Sequence, residues 1–315
     1  MSKRSLSVPT PDLALEATWA PVRRRVWLTR REITFLVLVA AAVVWSWRPL
    51  TTVIVRSLWV EDYEHYSHII LLPFIVGYLL YLSRVAIYRH ATTSLQPGGI
   101  VFGLGFALAG IAPTSILTGD AEHRLSLVML GLVVMWVGAF LLAYGPDALQ
   151  ATLYPFALLI FMVPLPPKAV HGVIVFLQRA SAEGSAILFG LIGMPVFRQG
   201  EFIFSLPGLT IQVAEECSGI RSSLALLISG LVMAYFFLRT PWARAAFAAA
   251  TIPVAIVKNS VRIVALSWLS VHVDPSFIAA STTHRTSGIP VFMLAISILA
   301  GIMWLLRRAE ARSVR

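Results

Sequence analysis

This chain has little charge and almost no cysteine. Of 315 residues, Asp and Glu supply 15, Lys and Arg 25, and charged residues make up 13%. Soluble domains are roughly one-quarter charged, so a chain this poor in charge cannot present a fully hydrated surface. Its single cysteine, Cys217, rules out an intrachain disulfide and leaves the redox compartment undetermined. The sequence contains no phosphate-binding loop, no dinucleotide fingerprint and no Gly-x-Ser-x-Gly elbow. Internal repeats and low-complexity tracts are also missing.

What the chain does have is apolar sequence: hydrophobic residues make up 58%, and the mean hydropathy is +0.81. Apolar runs of about 17–25 residues mark spanning helices. They fall near 33–54, 68–83, 98–117, 125–144, 151–166, 221–238, 242–258 and 288–306. The expected fold is an all-α polytopic membrane protein with about eight transmembrane helices. The first run begins near Ile33, too far along for a secretory signal, so an uncleaved first span is expected. Pro9, Pro11, Pro21 and the cluster Arg23, Arg24, Arg25, Arg30 and Arg31 offer nothing to pack. Residues 1–32 are therefore read as a disordered basic tail, 33–306 as the transmembrane domain and 307–315 as a second basic tail.

The net charge of +10 is unevenly distributed. With a cytoplasmic N-terminus, the inner segments collect the N-terminal arginines, Arg84, Arg89, Arg239, Arg244, Arg307 and Arg308, while basic and acidic residues nearly cancel outside. The positive-inside rule thus puts both termini in the cytoplasm of a plasma (inner) membrane. The basic excess is accounted for by the lipid surface, and no nucleic-acid partner is expected.

Residues 168–200 break the apolar pattern with Lys168, His171, Gln178, Arg179, Ser181 and Glu183, which predicts an outer interfacial helix rather than a ninth span. Two short β-prone runs then flank Pro207-Gly208 between Glu201 and Val213, predicting a hairpin. In the third span, Gly99 and Gly103, then Gly105 and Ala109, have the small-xxx-small spacing of helix packing.

Cys217 lies in Glu215-Glu216-Cys217-Ser218-Gly219-Ile220-Arg221, immediately before an apolar run. A thiol at a helix start feels the positive end of the helix dipole, which favours thiolate, although a lone cysteine in an apolar chain is ordinarily a small core residue. In this topology Cys217 reaches the outer membrane face. Two other polar groups reach the same level: Lys258-Asn259-Ser260-Val261-Arg262 at the end of the seventh span, and Thr283-His284-Arg285-Thr286-Ser287-Gly288 at the start of the eighth. A thiol, an imidazole and a guanidinium at one face are what acyl transfer requires: a nucleophile, a proton carrier and an oxyanion donor. Taken separately, Arg262 also reads as a snorkelling side chain, Asn259 as a helix-terminus partner, and Glu216 as a loop charge that would oppose ionisation of its neighbour.

The string Glu216-Cys217-Ser218-Gly219-Ile220-Arg221 resembles the signature of the exosortase/archaeosortase family of membrane transpeptidases. Asn259-x-x-Arg262 and His284, four residues before Gly288, resemble that family's second and third motifs. The likeness runs from about residue 60 to 300, through Ser67-His68, Pro73, Pro164-Leu165-Pro166, Leu177-Gln178 and Gly193-Met194-Pro195-Val196. Ile69 departs from it, since the family often has glycine after that histidine. The resemblance implies Cys217 as nucleophile, Arg262 as oxyanion-stabilising residue and His284 as acid/base group on the extracytoplasmic face, with Arg221, Glu216, Asn259 and His68 in support. It further implies protein substrates with a C-terminal tail of short motif (such as Pro-Glu-Pro), transmembrane helix and basic cluster, and an acceptor amine.

No cofactor is expected. His65 and His68 beside Glu61, Asp62 and Glu64 do not specify a third metal ligand and an open position, and His123 with Asp120 and Glu122 is weaker still, so no metal is assigned. The competing class is a transporter or channel with Arg262 and His284 lining a polar path. That class predicts charges deep in several spans and repeat symmetry, whereas here the polar motifs cluster at one expected face.

Overall fold

The computed structural model describes residues 28–59, 68–92, 94–112, 121–206, 209–212, 220–273 and 288–313. The architecture is helical apart from one small sheet, as expected for an all-α polytopic protein, and the chain divides into two compact units at Pro167–Lys168.

In the first unit, α1 (Arg30–Trp45) starts at a capping box. The Thr29 hydroxyl accepts the Glu32 N–H, and the Glu32 carboxylate accepts the Thr29 N–H at 2.6 Å. A 71° bend separates α1 from α2 (Trp47–Trp59), so the first expected span is a broken one or a re-entrant turn. There follow α3 (His68–Leu82), the short α4 (Arg84–Arg89), α5 (Leu95–Ile111) and the long α6 (Ala121–Tyr144). After the short α7 (Pro146–Ala151), the fifth expected span is broken into α8 (Leu153–Leu158) and a 3₁₀ turn at Leu159–Met162. Helix α6 is the core of this unit, with Met129, Leu132, Met135, Ala139 and Phe140 almost wholly buried. Glu32 also accepts a hydrogen bond from the Tyr88 hydroxyl. Burial and this carboxylate push the Tyr88 phenol above its usual pKa, which keeps it a donor.

Helices α5 and α6 cross at glycines, but not at all of those marked by the spacing. A Cβ on Gly105 would sit 2.6 Å from the Met135 nitrogen, and one on Gly131 2.8 Å from the Ala109 nitrogen. Gly98 faces Leu142, whereas Gly99 and Gly103 face open space. The contact follows Gly98, Gly105 and Ala109 along one helical face. The Gly99–Gly103 pair has the right spacing on the wrong face.

In the second unit, α9 (Pro167–Leu191) runs unbroken for 25 residues. It ends in a Schellman motif: Gly193 adopts φ +68°, its N–H donates to the Gly190 carbonyl, and the Met194 N–H donates to that of Phe189. The predicted hairpin is present, with β2 (Ile203–Leu206) antiparallel to β3 (Leu209–Gln212) and Leu206 opposite Leu209. A strand not foreseen, β1 (Phe197–Gln199), pairs with the other edge of β2 and completes a three-stranded sheet. Helices α10 (Ile220–Phe237), α11 (Pro241–His272) and α12 (Gly288–Ser313) complete the unit. The 32-residue α11 is its spine. The N-terminal half, through Phe247, Val254 and Ala255, packs in one apolar cluster with Leu226 of α10 and Leu299 of α12. Further along, Ile263 and Val264 pack in another with Ala182 and Phe189 of α9 and Phe204 of β2.

Five described helices are long and apolar enough to cross a membrane, or six if the bent α1–α2 pair is one span. The helices His68–Leu82 and Leu95–Ile111 and the segment Leu153–Met162 are apolar but shorter, so the expected count of eight is met only in part. Helix α9 is among the five, where an interfacial helix was expected. Its polar residues Gln178, Ser181 and Ser185 fall on one helical face and are buried there, so they mark a helix–helix contact rather than a water-facing side. Helix α11 itself does not stop at Lys258–Arg262 but continues ten residues beyond Arg262 to His272.

The turn between α10 and α11 is held from both sides. The buried Glu310 carboxylate on α12 accepts the N–H groups of Arg239 (3.1 Å) and Thr240 (2.7 Å), and the Arg244 guanidinium donates to the Leu238 carbonyl at 3.0 Å. Replacing Glu310 by Ala orphans those donors and is expected to lower stability by about 1–3 kcal/mol, read as a lower thermal midpoint in detergent. Gly105→Leu is expected to destabilise by about 2 kcal/mol through the α5–α6 crossing, while Gly103→Leu in the same assay leaves the midpoint in place.

Candidate functional site

The two apolar clusters on α11 are separated by a polar interval, Lys258-Asn259-Ser260 with Arg262 one turn beyond Lys258. Relative exposure is 5% for Lys258 and 1% each for Asn259 and Ser260, and Arg262 is half-buried. Arg262 lies four residues from Lys258 and three from Asn259, so it neighbours both along the helix surface.

Helix α9 supplies the complementary groups. The Asn259 Nδ2 donates to the Ser181 hydroxyl at 3.0 Å. The Ser260 hydroxyl lies 3.1 Å from the Ser181 carbonyl and 3.0 Å from that of Ile256, and the Ser185 hydroxyl donates to the Ser181 carbonyl at 2.7 Å. Gly184 makes this approach possible, because a Cβ there would collide with the Ser260 side chain. Polar groups taken out of solvent in such a seam need protein partners, and the α9–α11 contact provides them for the Asn259 amide N–H and the Ser260 hydroxyl.

From the other side, the Lys258 ammonium donates to the Ser222 hydroxyl, in the first turn of α10. Arg221, next to Ser222, is exposed. The start of α10 is thereby tied to the Asn259-x-x-Arg262 segment, and α9 is tied to the same segment on its other flank. One seam of three helices in the second unit thus carries Asn259 and Arg262 of the expected site, with Arg221 next in sequence to Ser222 but exposed.

His68 belongs to the first unit, at the start of α3, where its Nε2 donates to the Phe161 carbonyl at 3.0 Å. Cys217, Glu216 and His284 lie outside the described residues, as do His65 and residues 1–27. Sequence reasoning assigned no role to Lys258, Ser222, Ser181 or Ser260. The signal for α9 was its phase: Gln178, Ser181 and Ser185 at intervals of three and four lie on one face, whereas counting polar residues gives only a weak span.

A multi-helix membrane protein with a buried polar seam in its C-terminal unit is the class that fold and site define. A model of the transmembrane exosortase family matches residues 59–301, and the chain belongs to that family. No curated protein and no solved structure matches it. As an exosortase it is a membrane peptidase or transpeptidase that processes exported proteins.

The seam is expected to be structural as well as functional. Asn259→Ala leaves the Ser181 hydroxyl without its donor in a buried contact, and should lower stability by about 1–3 kcal/mol, measured by thermal unfolding in detergent.

Proposed function

We propose that this exosortase is a cysteine transpeptidase. Cys217 attacks the scissile carbonyl of an exported protein and displaces the amine of its C-terminal tail. Arg262 stabilises the oxyanion of the tetrahedral intermediate, and His284 carries the proton from thiol to leaving amine. The tail is a short motif, a transmembrane helix and a basic cluster, and the acyl-enzyme then passes to an acceptor amine. Processing takes place on the extracytoplasmic face, with both termini cytoplasmic, in agreement with the basic excess assigned to the inner segments.

The observation that carries this reading is the extent of the family match, which spans Cys217, the Asn259-x-x-Arg262 pair and His284 in order. The burial of Asn259 in a hydrogen-bonded seam one turn from Arg262 supports it, because an oxyanion donor acts best from a rigid, largely water-free position.

Cys217→Ala and Cys217→Ser are expected to leave the protein folded and substrate uncleaved, still anchored by its own helix. Immunoblotting of a tagged substrate reads this as retention of the longer form, and normal processing by either variant overturns the reading. Mass spectrometry of the released C-terminus tests transfer: an attached amine is expected, whereas a free carboxylate would make the enzyme a hydrolase.

A further inference from the structure

Helices α10 and α12 leave a groove between them. It holds about 450 Å³ and is lined by Met233 and Phe237 of α10 and by Met303, Trp304, Arg307 and Arg308 of α12. Its lining runs along α12 from Ala300 to Ala311, so the apolar part lies toward the middle of the helix and the two guanidiniums toward its end. Helix α12 is also the most exposed of the candidate spans among the described residues, with 17% of its apolar stretch buried. In a bilayer such a face meets acyl chains.

Both arginines are held by rings. Arg308 lies 3.6 Å from the centre of the Trp304 ring, and Arg307 reaches across the groove to within 5.8 Å of the Phe237 ring of α10. A ring covers the face of a guanidinium and leaves its N–H edge free to donate. Two such edges on adjacent residues match the oxygens of a phosphate. Among the described residues no carboxylate meets either guanidinium.

Nearby charge has one sign. Across Ile220–Val273 and Gly288–Ser313 the single acid is Glu310, and its carboxylate is taken up by the Arg239 and Thr240 N–H groups and the Thr240 hydroxyl. That tie holds the α10–α11 turn, with Arg239 and Arg244, beside the end of α12, with Arg307, Arg308 and Arg312. A basic cluster at the ends of spanning helices attracts anionic headgroups.

We propose that this groove binds one anionic glycerophospholipid. Arg307 and Arg308 grip its phosphate, and an acyl chain lies along Met233, Phe237, Met303 and Trp304. A zwitterionic lipid brings its own cation among these arginines, which disfavours it. The basic cluster of the proposed substrate tail is repelled by the same residues. The assignment does not rest on the chemistry proposed for Cys217.

The test titrates full-length protein in neutral detergent with phosphatidylglycerol or phosphatidylcholine of identical acyl chains, and counts bound lipid by native mass spectrometry. Wild type should hold one phosphatidylglycerol with about tenfold preference over phosphatidylcholine. Equal binding of the two overturns the proposal and needs no variant to fold. Arg307→Gln and Arg308→Gln should each weaken phosphatidylglycerol binding about fivefold, and the double variant about 30-fold, as expected for two cations at a membrane surface. Arg312→Gln removes an equal charge outside the groove and should leave binding nearly unchanged. A loss there as large as in Arg307→Gln makes the effect a general surface attraction and overturns the site.

Ala300→Trp fills the apolar part of the groove while keeping both arginines, and should abolish the one-lipid species. Unchanged binding in that variant overturns the proposal. The same spectra report protein mass. A wild-type dimer that Ala300→Trp splits, with no preference for phosphatidylglycerol, assigns the groove to a second copy of the chain and likewise overturns it.

Discussion

The C-terminal unit depends on keeping a run of polar residues inside an apolar helix bundle. Nothing in a bilayer core hydrogen-bonds a stray donor, so polar side chains on a spanning helix must meet partners on its neighbours. Helix α11 meets this condition by placing Asn259 and Ser260 against Ser181 of α9 and Lys258 against Ser222 of α10. The apolar clusters on either side of that interval hold the three helices close enough for the bonds to form. The elements are interdependent: without Gly184 the helices cannot approach, and without the approach the buried polar groups are unsatisfied.

This arrangement bears on the oxyanion-stabilising role proposed for Arg262. An arginine near the end of a span can snorkel to the interface and become mobile. Here α11 continues well past Arg262, and one turn before it Asn259 is bonded to a second helix. The arginine is thus carried on a rigid stretch of backbone, the condition under which preorganised electrostatics are effective. The hairpin that precedes the cysteine motif packs Phe204 against Phe189, Ile263 and Val264, so the chain entering that motif rests on the same long helix.

Much of the fold could be read from residues alone, and the misreadings share a cause. The hairpin follows from β-prone runs flanking Pro-Gly, and its register agrees with a two-residue turn. The glycine stripe on α5 was partly misread because spacing of four occurs on two faces, and only the neighbouring helix selects one. On helix α9 hydropathy lumps together polar residues of two kinds: Lys168, His171, Arg179 and Glu183 are exposed, whereas Gln178, Ser181 and Ser185 are buried. Gln178, Ser181 and Ser185 look like a wet face until another polar helix is set against them. The broken α1–α2 pair and the segmented stretch before Pro164 likewise show that an apolar run measures length and composition but not straightness.

By itself, the sequence determined the class of this protein. Scarce charge and long apolar runs point to a membrane protein, and the Cys217, Asn259-x-x-Arg262 and His284 strings resemble motifs of the exosortase family, to which the chain belongs. Covalent order suffices for that, because composition and motif spacing are properties of the chain. Tertiary structure alone decided which polar residues are buried together, since a hydrogen bond between residues 78 or 36 positions apart has no local signature. Pairing Lys258 with Ser222, and Asn259 with Ser181, required three helices to pack with particular faces inward. That choice is made by desolvation and close contact rather than by any one segment.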